Sequence, residues 1–162
     1  MLEALADSPY ATFVRESLWG WPMSLTFHAF GNGAVIGLTI IIMLRLLGFF
    51  RSIPYTSLSR LFPIIWLGVV VQVLSGSSLW MTKPDKYISD YAFDVKIGFV
   101  VLGVIVTAYL QSLLKREAAG WQSTGKSSPF GVKLSCVVAF AWMGVLEFGR
   151  LTAYLGQLYG VG

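Results

Sequence analysis

Four long apolar runs, nearly empty of charge, dominate the chain: Met23–Phe50, Leu58–Trp80, Phe93–Leu114 and Val132–Leu158. About 20 apolar residues suffice for a helix to cross the hydrocarbon of a bilayer, and each run reaches that length. In lipid a helix satisfies its own backbone hydrogen bonds, which an open strand does not. The runs therefore predict an all-α fold, a polytopic four-helix membrane bundle. Only 12% of residues are charged, about half the share of a soluble domain. The longest connection, Lys115–Gly131, is too short for a soluble unit, so residues 1–162 read as a single transmembrane domain. Met1–Trp19 carries Glu3, Asp7 and Glu16 and lacks the basic leader of a signal peptide. Within it Tyr10, Phe13, Val14, Ser17 and Leu18 share one helical face, opposite Arg15 and Glu16. That pattern predicts a short interfacial helix before Pro22 redirects the chain.

The formal net charge of +4 is read as topology rather than as affinity for nucleic acid. Arg45, Arg51 and Arg60 flank the first connection; Lys115, Arg116, Lys126 and Lys133 flank the third. The other side holds five bases, diluted by acids. Cytoplasmic connections carry the excess of Lys and Arg, so connections one and three are expected inside and both termini outside. Trp19, Trp21, Trp80 and Tyr87 or Tyr91 would mark the outer interface, with Trp121 and Tyr55 at the inner one. Trp66 and Trp142 are expected to pack within the bundle.

Helices in lipid associate through close packing at small residues. Candidates are the Gly33–Gly37 step, the face of Gly68, Gln72, Ser75 and Gly76, the pair Gly103 and Thr107, and Gly144. The same glycines can also make room for a flat cofactor. Cys136, the single cysteine, is read as a small packing residue.

Ionisable groups inside spans are costly and mark sites by default. His28, Lys96, Glu147 and Arg150 all fall near the outer edge if the spans alternate in direction. Asn32 lies one turn from His28, about 6 Å deeper on the same face. Glu147 and Arg150 are spaced i, i+3 and can pair. One reading is a structural network in which Glu147 neutralises Arg150 or Lys96. Another is haem b, with His28 as the axial ligand. His28 is the only histidine, so a bis-histidine haem within one protomer is excluded. A second ligand would be Met81, Met23 or a partner's residue, with Arg150 or Lys96 on a propionate. A third reading is quinone. His28 would donate to a carbonyl and titrate near neutrality, while Glu147 relays a proton. The ring would lie among Trp80, Phe27, Phe30 and Phe148. His28 is the one candidate ligand for a free metal ion, a weak signal: no Cys/His cluster exists, and a lone His with a carboxylate is too few ligands for a tight zinc site.

Short motifs add a resemblance. They are His28-Ala-Phe-Gly-Asn-Gly33, Leu44-Arg-Leu-Leu-Gly48, Phe93-Asp-Val-Lys96 and Gly149-Arg150-Leu-Thr-Ala-Tyr154. In these the chain resembles a family of small four-span bacterial membrane proteins. In architecture it is loosely similar to cytochrome b561-like and copper-resistance-type four-helix units, without the paired histidines of the former. The resemblance implies the bacterial inner membrane and no defined reaction. The expectation is a small redox-associated protein that binds quinone or haem b in its outer polar layer: His28, Asn32, Trp80, Lys96, Glu147 and Arg150. The alternative is a non-catalytic subunit docked to other membrane subunits or to copies of itself.

Overall fold

The computed structural model describes residues 2–88 and 90–158. Its elements are α1 (Leu2–Ala6), α2 (Pro9–Glu16), α3 (Gly20–Leu46), a 3₁₀ turn (Tyr55–Leu61) leading into α4 (Phe62–Thr82), α5 (Pro84–Ile88), α6 (Tyr91–Thr124) and α7 (Pro129–Leu158). The described residues hold no strand, and the fold is all-α. Four helical segments, Gly20–Leu46, Tyr55–Thr82, Tyr91–Thr124 and Pro129–Thr152, are long and apolar enough to cross a membrane. This architecture fits a multi-pass membrane protein.

Local chemistry sets the helix ends. Ser8 caps α2 by accepting from the Ala11 amide (3.2 Å), and Pro9 occupies the first turn, where its missing N–H costs nothing. The Asp90 carboxylate caps α6 at the Ala92 amide (2.8 Å). Gly125, in the left-handed conformation (φ 70°), ends α6. Past α3, Gly48 and Phe50 both take positive φ. That turn stops the helix at Leu46, short of the Phe50 expected from hydropathy.

Consecutive long helices run antiparallel, and their lateral order is α4–α3–α7–α6. The core runs from Val35 and Ile42 of α3 through Phe62 and Ile65 of α4 to Leu110 and Leu114 of α6 and Val138 and Trp142 of α7. The α3–α4 crossing is set by Gly31 and Gly68. A Cβ on Gly31 would lie 2.9 Å from the Gly68 carbonyl oxygen, and one on Gly68 would lie 2.9 Å from Val35. Between α6 and α7, Gly103 lies against the Trp142 indole, whose Nε1 donates to Thr107 Oγ1 (2.9 Å). Gly144 receives the Phe99 ring. The expected small-residue faces thus make contacts, with one exception. Gly33 and Gly37 face open space with nothing within 4 Å, so this GxxxG step is not an internal contact.

At the end of the bundle that holds Arg45, helical structure reaches further than the hydropathy pattern predicts. Helix α6 continues ten residues past the expected limit at Leu114, because Ala118 and Trp121 extend the buried stripe of Leu113 and Leu114. The long polar connection shrinks to residues 125–128. Trp121 is buried beneath the 3₁₀ turn and meets Tyr55 edge-on at 6.0 Å, rather than standing at an interface. Arg45, counted as a topological charge, is 5% exposed. Its guanidinium stacks 3.8 Å from the Tyr55 ring centroid and donates from Nε to the Ile53 carbonyl.

The opposite end carries the short helices. Helix α2 docks on α3 and α4 through buried Ala11 and Val14, while Tyr10, Phe13, Leu18 and Trp19 are exposed. The expected helix exists, docked through Ala11 and Val14 and tied to α4 by Tyr10. Tyr10 Oη is fixed to Ser78 Oγ at 2.7 Å.

Candidate functional site

Helices α4 and α6 form no packed pair along their length. They meet toward the Arg45 end, where Trp66 Nε1 donates to Gln111 Oε1 (2.9 Å). Toward the His28 end they diverge and leave a half-open cleft of about 410 Å³. Its floor is α3, its walls are α4 and α6, and α5 closes one side. His28, Gln72, Ser77, Trp80, Phe93 and Lys96 line it, with Gly76 and aliphatic neighbours. A concave, mainly apolar site with a few convergent polar groups is the usual form of a small-molecule site.

The histidine is held by α4, through Ser75 and the backbone of Gln72. Its Nδ1 lies 3.0 Å from Ser75 Oγ. Ser75 in turn donates to the Val71 carbonyl one turn back (2.6 Å). Gly76 leaves room for the ring, since a Cβ there would come within 3.2 Å of His28 Cε1. His28 Nε2 has no protein partner among the described residues. One turn deeper, Gln72 Nε2 donates to Asn32 Oδ1 and ties α4 to α3. Residues 28, 32, 72 and 75 thus form one polar seam between α3 and α4.

Lys96 enters the cleft from α6. Its aliphatic stem lies along α7, and a Cβ on Gly149 would sit 3.5 Å from Lys96 Cε. Among the described residues no carboxylate lies within 4.0 Å of its ammonium. His28 on the floor and Lys96 on the α6 wall both keep hydrogen-bonding capacity for a guest.

The polar layer expected from sequence divides into two. His28, Lys96 and Trp80 line the cleft, and Asn32 braces it through Gln72. Glu147 and Arg150 are exposed on α7, outside it. They make no ion pair with each other or with Lys96 among the described residues, so the expected charge-compensated network is not formed. The expected aromatic cage is also dispersed. Phe27 and Phe30 face outward at 53% and 72% exposure. Phe148 stacks on Phe99 at 5.5 Å. Phe93 lines the cleft in their place. Its role was hidden because it opens α6, where an aromatic reads as an interface residue.

For haem, the lining supplies one imidazole and neither of the expected methionines, Met23 and Met81. Among the described residues no three His, Cys, Asp or Glu side chains gather into a metal site. Beside the cleft, burial and the Asp90 carboxylate raise the Tyr87 phenol above its ordinary value. Comparison with known proteins adds no neighbour: no family model matches this chain, and neither a curated protein nor a solved structure matches it.

Proposed function

We propose that this is a small redox-associated protein of the bacterial inner membrane whose cleft takes the ring of a lipid-soluble quinone. The observation that carries the reading is the pairing of His28 Nε2 and the Lys96 ammonium. Both lack a protein partner among the described residues, and they converge from different helices on one apolar cleft. A quinone ring has an oxygen at each end and an apolar body. Its polyprenyl tail can leave through the gap between α4 and α6 into lipid. Haem fits the donor set less well, with a single axial ligand. The charge distribution supports cytoplasmic placement of the Arg45 end, with both termini and the cleft on the periplasmic side.

The test is titration of the detergent-purified protein with a short-chain benzoquinone, followed by tryptophan fluorescence with Trp80→Phe as the control. Saturable quenching that weakens about tenfold in Lys96→Met is expected, as for loss of one buried hydrogen bond. Absence of saturable quenching overturns the reading. An absorption spectrum, oxidised and dithionite-reduced, checks the competitor: a Soret band that vanishes in His28→Ala replaces quinone with haem.

A second reading rests on α7. Phe140, Met143, Glu147, Arg150 and Tyr154 form an exposed stripe, with opposite charges one turn apart. Exposed charges in a membrane helix favour a neighbouring subunit, including a second copy of this chain. A native particle larger than one 17.8 kDa chain, broken by Glu147→Arg and restored by adding Arg150→Glu, supports pairing of two copies.

A further inference from the structure

The hydrogen-bond chain under His28 decides which redox form of a quinone ring the cleft prefers, a preference that rests on the quinone reading above. A serine hydroxyl has one proton to donate. Ser75 commits its proton to the Val71 carbonyl, at 2.6 Å, a distance that two bare oxygens do not adopt. The same oxygen lies 3.0 Å from His28 Nδ1. With the hydroxyl proton directed elsewhere, that contact is a hydrogen bond only if Nδ1 donates to Ser75. The neutral ring therefore carries its proton on Nδ1 and a lone pair on Nε2. A partner on one ring nitrogen fixes the tautomer in this way.

The consequence reverses the role expected from sequence, where His28 donates to a quinone carbonyl. Nε2 is an acceptor. A carbonyl oxygen placed against it would bring two lone pairs together. A phenolic hydroxyl would donate to it. Across the cleft Lys96 offers only donors, which suit the second oxygen of a ring, whether carbonyl or hydroxyl. We propose that the cleft is specific for the reduced, dihydroxy form of the ring, the quinol. His28 accepts one hydroxyl proton in a hydrogen bond and Lys96 donates to the opposite oxygen. Ser75 is a positioning residue that sets the polarity of the site. The proposal concerns binding, and no electron transfer is assigned.

The test compares one short-chain benzoquinone with its two-electron-reduced quinol, titrated anaerobically into the detergent-purified protein by calorimetry. The quinol is expected to bind about tenfold more tightly, the ratio set by one hydrogen bond made against one missed. Ser75→Ala should reduce that ratio toward one, because the imidazole is then free to present either nitrogen as donor. His28→Gln, whose amide both donates and accepts, should do the same. Equal or tighter binding of the quinone to the unsubstituted protein overturns the preference and leaves the quinone reading standing. Binding of neither form overturns both.

Discussion

Gly76 backs the His28 ring without taking part in its hydrogen bond to Ser75. A methyl on Gly76 would stand 3.2 Å from His28 Cε1 and 3.6 Å from Nδ1. The contact is tight but not prohibitive, so the ring yields by a few tenths of an ångström. Gly76→Ala is expected to lower ring-ligand affinity several-fold while the thermal midpoint stays within a few degrees, measured by calorimetry and by a melting curve in detergent. Loss of folding in this variant would show that the ring has no room to move. A pH dependence belongs to Tyr87. Its phenol is raised in the fold by burial and by Asp90, so the unfolded chain ionises first as pH rises. Between the ordinary phenol value and the raised one, the folded state holds a proton that the unfolded state has released. Stability is therefore full below pH of about 10 and falls above it. Tyr87→Phe should flatten the alkaline limb of a melting-point profile. At this scale the sequence singled out His28 and Lys96, both of which line the cleft, since a charge or a lone histidine in an apolar run is visible in one dimension. It did not separate them from Glu147 and Arg150. Depth along a helix can be counted from sequence, whereas the angle about its axis depends on which neighbours it packs against.

The two glycine pairs of the α3–α4 region test what a helix crossing requires. Gly31 and Gly68 meet backbone to backbone, and a Cβ at Gly31 would stand 2.9 Å from the Gly68 carbonyl oxygen, which cannot swing aside. Gly31→Ala should destabilise by about 1–3 kcal/mol through overpacking. Gly33→Ala and Gly37→Ala meet nothing within 4 Å. They should leave the melting midpoint unchanged or raise it slightly, since alanine is the better helix former by about 1 kcal/mol. The reverse order, with Gly33→Ala the more damaging, would mean that the exposed step is occupied in the protein as purified. Spacing favoured the wrong pair here because GxxxG is a pattern along one helix, and contact needs a matching face on another. The end of α6 shows the opposite error. Residues 115–124 read as a loop because their exposed side is polar (Lys115, Arg116, Gln122, Ser123). The stripe Leu114, Ala118, Trp121, at helical spacing, was present but short. What completes it is the 3₁₀ turn folded over it, with the Tyr55 amide donating to Gln122 Oε1 (2.8 Å), a contact between residues remote in sequence.

The whole molecule is polarised in both charge and shape. The Arg45 end is closed: Arg45 clamps the turn to Tyr55 and Ile53, Ser127 donates to the Leu46 carbonyl (2.7 Å), and Ser128 donates to Glu117 (3.2 Å). The His28 end is open, with α4 and α6 apart and the cleft between them. Arg51, Arg60, Lys115, Arg116, Lys126 and Lys133 are exposed around the closed end, where Glu117 is the one acid among the described residues near them. The proposed orientation rests on that asymmetry, because cytoplasmic loops retain basic residues. Cys136 is the only cysteine, so Cys136→Ser gives a clean background for single-site labelling. In it, Lys86→Cys on α5 should react with a membrane-impermeant maleimide on intact spheroplasts. Lys126→Cys, in the connection after α6, should react only once the membrane is permeabilised. The reverse pattern, with Lys126→Cys labelled first, would place the closed end outside, and the cleft would then face the cytoplasm. The expected result instead puts the cleft at the periplasmic edge, where a ring bound at His28 would lie close to external water. The labelling order of these two positions thus decides which side of the bilayer the cleft faces.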